Sequence, residues 1–348
     1  MTLRRPIPGF AAALLAAAAL TSITISSSAA SASSKDAPTE AVASNRAPST
    51  QIAELWALQA ADQRVADIAW RLLTKAGDLC PDQVSATGIS LHSADQYTSA
   101  ARYSAEAAFG FFNGQPSVLS VAKGSPAATA GIEPNDTLMS INGDGLGGTP
   151  SANKSPGKAA RYEQIDQSMR ALEKLPAGRT AEISIIRRGV PMTLRFSPVI
   201  ACKSRVELVP GPTVNGSANG HVAQISGGLL EWTQNDDELA LVIAHEVAHN
   251  ILRHQAEIDQ SGITTGLFGG FGKSGRRLRD MEREADRLGT WLAARAGFDY
   301  HIAPMLWERL SKRGGIGALL ATTHPSPSNR RQSLEAVVAD ISKAQLTN

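Results

Sequence analysis

The sequence predicts an α+β protein in which a β-rich middle domain precedes a mostly helical C-terminal domain carrying a small sheet. Three observations lead there. The chain has 348 residues, 43% hydrophobic and 19% charged, enough for two or three domains with real cores. Between residues 80 and 200, short apolar runs alternate with turns rich in Gly, Pro, Asn and Asp. Between residues 205 and 345 two helix candidates stand out, "NDDELALVIAHEVAHNILRH" and "GRRLRDMEREADRLGTWLAARAGFD".

The chain begins with Arg4 and Arg5, an apolar stretch, and the small residues Ala30, Ser31 and Ala32. That is the order of a secretory signal peptide over residues 1–32, cleaved after Ala32, with an uncleaved anchor as the alternative. It predicts export to the periplasm or outer cell envelope of a bacterium, with peripheral contact to a membrane or envelope complex left open. The formal net charge is +2, and removing the first 32 residues leaves the chain near neutral. Nothing in that balance suggests a nucleic-acid surface.

Residues 33–50 are small and polar and read as a flexible lead-in. In residues 51–79, Leu55, Leu58, Val65, Ile68, Leu72 and Leu73 recur at helical spacing, predicting a helix that ends at Gly77. The cysteines are Cys80 and Cys202. In an oxidising compartment they can pair, though sequence alone does not give their separation.

In the 80–200 domain, Val118 to Val121 fit a strand, "GSPAATAG" a short helix closed by Gly131, and Leu138 to Ile141 a second strand. "YEQIDQSMRALEKL" is helical, and "AEISIIRRGVPMTLRFSPV" is a hairpin turning near Gly189. This order resembles a PDZ domain, and "AFGFF" at 108–112 resembles the loop that binds a peptide carboxylate in such domains. The resemblance implies binding of peptide C-termini or extended segments; a spacer without a ligand is the alternative.

The chemistry sits in "NDDELALVIAHEVAHNILRH". Asn235 can cap a helix there, with Glu238 in capping-box position. His245 and His249 are four residues apart and share one helix face, a spacing that lets two neutral imidazoles bind one Zn²⁺. Glu246 lies beside them, placed to take a proton from water. A catalytic zinc takes a third protein ligand. "GRRLRDMEREADRLGTWLAARAGFD" offers Glu282 as that ligand and Asp286, four residues on, to fix a ligand histidine's tautomer. Helical geometry turns Glu284 elsewhere, as a solvated charge. His254 follows His249 by five residues and reads as a solvated or loop-contact histidine.

With both motifs in place, the C-terminal domain resembles the zinc metallopeptidases that include the CAAX prenyl proteases, HtpX and BepA. The chain resembles their soluble exported branch, with a PDZ-like domain ahead of a zincin-type domain of the gluzincin kind. The resemblance implies a zinc metalloendopeptidase that binds one Zn²⁺ and hydrolyses unfolded or misassembled envelope polypeptides. His245, His249 and Glu282 would be ligands, Asp286 would lie behind them, and Glu246 would be the base. "ANGHVAQISGGLL" resembles the strand bordering the family's cleft. The segment around His324 resembles its late His-Pro motif, making His324 the first choice and Arg330 the second for stabilising an oxyanion. His324 can instead occlude the metal, or Pro325 can simply stiffen a loop. The glycine-rich 261–275 segment reads as a lid, an apolar contact patch or a linker.

Overall fold

The structure, a computed structural model, describes residues 48–111, 113–146, 160–263, 272–312 and 327–346. The expected signal peptide, most of the lead-in, Phe112, His324 and Pro325, and most of the glycine-rich segment lie outside the described residues. Among the described residues no helix is long and apolar enough to cross a membrane.

The protein is α+β, a β-rich region followed by a mostly helical one with a small sheet. Helix α1 (Pro48–Lys75) links the two. Its Val65, Ile68 and Leu72 enter the C-terminal core together with Cys80 and Cys202. Its opposite side holds the backbone of strand β3 (Ser117–Val121). Gln63 accepts from the Val121 N–H at 3.1 Å and donates to its carbonyl at 2.7 Å, and Gln59 donates to the Leu119 carbonyl at 3.1 Å. Two glutamine amides thus satisfy strand groups that a neighbouring strand would otherwise pair.

Strand β1 (Gln83–Ala86) pairs antiparallel with β8 (Val199–Cys202), Gln83 opposite Cys202. Cys80 and Cys202 are disulfide-bonded, with their Cα atoms 5.5 Å apart. Sequence left that pairing open, and the fold brings the two ends of the middle region together.

The largest sheet has the order β2 (Ile89–His92), β3, β4 (Thr137–Ile141), β6 (Ala181–Arg187), β7 (Val190–Phe196), with β5 (Asp144–Gly145) on β4. Every pair is antiparallel. Helices α2 (Ser99–Phe109), α3 (Pro126–Thr129) and α4 (Ala160–Glu173) accompany it. Its core includes Ile89, Val118, Leu138, Ile183 and Phe196, so the expected strands and turns form around one apolar centre. Arg188 and Gly189 both take positive φ, the two-residue turn a tight hairpin needs.

The "AFGFF" segment begins at a helix end. Ala108 and Phe109 end α2, and Gly110 closes it by donating to the Glu106 carbonyl at 2.9 Å. Phe109 and Phe111 meet the His92 ring edge-on and the Tyr97 ring at a tilt. Leu55, Tyr97, Ala105 and Phe109 form an apolar cluster, with Ala108 and Phe111 packed against it. A cavity of about 730 Å³ lies elsewhere, lined by Ser90 of β2, Met169 of α4, Ala66 of α1 and Glu207 of β9 (Arg205–Val209).

The small C-terminal sheet has the order β10 (Gly216–Ala218), β11 (Val222–Ser226), β9, with β11 parallel to β9 and antiparallel to β10. The strand expected to border the cleft, β11, is therefore central, and β10 forms the outer edge. Helices α5 (Gly227–Trp232) and α6 (Asp236–Ile251) pack on this sheet, and α7 (His254–Ser261), α8 (Gly272–Arg295), α9 (Ala303–Ser311) and α10 (Pro327–Leu346) follow, α8 lying against α6 and α10 against α8 and α9.

Candidate active site

Helix α6 starts as its sequence requires. The Asn235 side chain accepts from the Glu238 N–H at 2.9 Å. The Glu238 carboxylate accepts from Gln234 N–H rather than from the cap residue itself, and Arg309 grips it from α9. The interior of the helix, from Leu239 to Ala244, is buried, so His245 emerges from a fixed rod.

Helix α8 crosses α6 closely because of Gly289. A Cβ there would stand 2.9 Å from the His245 backbone nitrogen and 3.0 Å from its Cα. A glycine inside a helix costs about 1 kcal/mol against alanine, so it calls for a packing reason. The close crossing brings Glu282 and Asp286 onto the two histidines.

Among the described residues, one group of metal-binding side chains converges: His245, His249 and Glu282, with ligand atoms within 4.8 Å of one another. The Nε2 atoms of His245 and His249 are 3.2 Å apart. His245 Nε2 lies 3.4 Å from Glu282 Oε2, and His249 Nε2 lies 3.6 Å from Glu282 Oε1. A tetrahedral ion with ligand bonds of ~2.0–2.1 Å holds its donors ~3.3–3.4 Å apart. The triangle fits such an ion, and two imidazoles with one carboxylate are a donor set that suits zinc.

On its other side, His245 Nδ1 sits 3.0 Å from Asp286 Oδ1. Arg330 donates to both Asp286 oxygens, at 2.7 and 2.6 Å, and stacks on Trp307 at 3.9 Å. The sequence offers Arg330 for an oxyanion, but the structure commits two of its nitrogens to Asp286. His324 lies outside the described residues. Burial opposes charge on His245, yet the adjacent Asp286 and Glu282 carboxylates outweigh it and raise its pKa. Burial lowers that of His249.

Glu246 is placed beside the triangle and outside it. Its Oε1 rests so close to Gly216 that a Cβ there would meet it at 2.5 Å, which puts the carboxylate against the start of β10. Although some of its surface stays open, burial pushes its carboxyl up to about 7; the Glu282 charge adds to the rise, and charge on His245 and Arg330 opposes it. A carboxylate near neutral pH is suited to accept and return a proton.

Two expectations are overturned. His254 is 2% exposed, with Nδ1 3.0 Å from His249 Nδ1. Glu284 is not a free solvated charge: it meets His254 Nε2 at 3.1 Å and accepts from Arg277 at 2.8 Å. Helix α6 stops at Ile251, and Arg253 turns left-handed with φ 57°, which swings His254 back toward His249.

Residues 212–338 match the model of peptidase family M48. The chain is 33% identical to the mitochondrial metalloendopeptidase OMA1 of Schizosaccharomyces pombe over 172 residues, 43% of this chain and 51% of that one. It is 29% identical to the putative beta-barrel assembly-enhancing protease of Vibrio cholerae over 142 residues, 32% of this chain and 29% of that one. The chain thus spans about half or less of the length of these curated relatives. Among solved structures, an HtrA-type protease, AlgW, with a decapeptide aligns over 34% of this chain and 30% of that one, with 18% identity and a TM-score of 0.24.

Proposed function

We propose that this chain, whose residues 212–338 match the model of peptidase family M48, is an exported zinc-dependent metalloendopeptidase acting on unfolded or misassembled envelope polypeptides. The observation that carries the enzymatic reading is the triangle of His245, His249 and Glu282 with Glu246 beside it. The envelope setting draws on the sequence's amino-terminal pattern and on relatives described as beta-barrel assembly-enhancing proteases.

His245 Nε2, His249 Nε2 and the Glu282 carboxylate would hold the zinc. Bound there, zinc supplies Lewis acidity that polarises a scissile carbonyl and acidifies water. The Glu246 carboxylate takes the proton of the attacking water and returns it to the leaving amine. Asp286, fixed by Arg330, holds the His245 ring with Nε2 facing inward. The outer edge of β10 offers backbone groups to an extended substrate segment alongside Glu246. Chelation is expected to abolish hydrolysis of an unfolded protein, and stoichiometric zinc to restore it. Hydrolysis that survives complete metal removal would overturn this reading.

The PDZ-like region is proposed to tether peptide segments. With the Phe109 and Phe111 rings packed against His92, the site for tethering is the cavity between β2 and α4. Met169→Arg, on its wall, should raise KM for an unfolded protein several-fold and leave a short peptide's kinetics unchanged. Faster turnover of both substrates would instead mean gating, and no change in either would exclude both roles.

A further inference from the structure

His254, Glu284 and Arg277 lie outside the ligand set, yet together they make a continuous polar chain that begins at a ligand. His254 Nδ1 is 3.0 Å from His249 Nδ1, and its Nε2 is 3.1 Å from Glu284 Oε2. Arg277 donates to Glu284 at 2.8 Å and to both Glu257 oxygens at 2.5 and 2.7 Å. His254 is 2% exposed, and its ring meets that of His249 edge-on at 4.9 Å between centroids. Three elements contribute: α7 carries His254 and Glu257, α8 carries Arg277 and Glu284, and α6 carries His249.

We propose that His254 is a positioning residue for the metal, fixing the tautomer and ring orientation of His249 and relaying to it the charge of Glu284. The inference rests on the reading of His249 as a ligand. The hydrogen-bonding arithmetic has one solution. If His249 presents Nε2 to a metal, its proton sits on Nδ1 and must be donated. The nearest acceptor is His254 Nδ1, so that atom carries no proton and the His254 proton sits on Nε2. From there it is donated to the Glu284 carboxylate, an acceptor only, which Arg277 holds in place. Every donor meets an acceptor, and the order runs from the metal toward the surface.

The two ligand histidines are therefore supported differently. His245 leans directly on a carboxylate, Asp286. His249 reaches one through a second imidazole. All three acids of "EREAD" are then used: Glu282 for the ion, Asp286 behind one imidazole, and Glu284 behind the other through His254. Partners behind a ligand imidazole raise its basicity and hold its plane, and losing one costs metal affinity.

The test uses the zinc-loaded full chain. Nitrogen-15 imidazole spectra are expected to show His249 protonated at Nδ1 and His254 protonated at Nε2 alone. A His254 ring protonated at Nδ1 would overturn the proposal without any mutant. Chelator competition then gives zinc affinity. His254→Leu should weaken zinc binding about 10–100-fold. His254→Asn has nearly the same shape and keeps an oxygen near the Nδ1 position, so it should recover most of that loss. Glu284→Gln, a partly exposed change, should weaken zinc binding less than His254→Leu. Leu and Asn variants weakened equally would mean that His254 acts by packing, and all three variants at wild-type affinity would leave it no role. A His249→Ala control that still binds zinc at wild-type affinity would remove the premise itself, and the two failures are thereby told apart.

Discussion

Glu246→Gln is expected to cut peptide-bond hydrolysis by about 10²–10⁴-fold, the range that a positioned acid–base group contributes, while the protein keeps its zinc. The separation of the two effects follows from where the side chain sits. Glu246 is outside the converging triangle of His245, His249 and Glu282, so no ligand atom is lost. Glutamine has nearly the same volume, and the close approach of Gly216 to Oε1 leaves the side chain where it was. What is lost is the capacity to accept a proton. Burial places this carboxyl at about 7, and a nearby dication favours its charged form, so at neutral pH the native side chain is a base. A carboxamide is not a base at any working pH. Zinc content by elemental analysis and steady-state hydrolysis of an unfolded protein check the two halves. Turnover by a folded, zinc-loaded variant at the native rate would show that Glu246 is not the base.

That assignment needed little beyond the sequence. Residues four apart on a helix must share a face, so His245 with His249, and Glu282 with Asp286, were legible as two paired faces. The apolar run and Asn235 located the helix carrying the first pair. What escaped was decided by single backbone events. Five residues beyond His249, a continuous helix would carry His254 about 140° around its axis. The left-handed turn at Arg253 breaks that helix, and arginine carries no local signal for such a turn. Glu284 was dismissed by the same helical arithmetic, because the partner that gives it meaning stands on α7. Gly289 did carry a signal: a glycine two turns past Glu282 in an otherwise good helix marks a close crossing. The packing of Phe109 and Phe111 escaped for another reason. "AFGFF" reads equally as a loop or as a helix end, and the difference lies in His92 and Tyr97, more than ten residues away.

Glu282→Ala and Asp286→Asn are expected to give crossed results, although the two acids sit one helical turn apart on α8. Glu282 is partly accessible and supplies the one carboxylate of the triangle. Its removal leaves two imidazoles, and zinc affinity should fall by more than the ~10–100-fold typical of losing a residue behind a ligand. Asp286 is buried and pairs with the buried guanidinium of Arg330 through two hydrogen bonds. Asparagine still offers His245 and Arg330 an oxygen, but not a charge, so zinc binding should weaken only within that ~10–100-fold range. The larger effect falls on the fold. Breaking a buried ion pair by removing one partner costs roughly 3–5 kcal/mol, because the other charge stays buried and uncompensated. The metal-free Asp286→Asn protein should therefore unfold at lower denaturant than metal-free wild type, while metal-free Glu282→Ala should unfold close to it. Chelator competition gives one axis and denaturant unfolding of the metal-free proteins gives the other. If Asp286→Asn lost more zinc than Glu282→Ala, the ligand would be Asp286 and the supporting residue Glu282. If both variants unfolded with wild type, the Asp286–Arg330 pair would contribute nothing net to stability, and Arg330 would be released for a direct part in the chemistry.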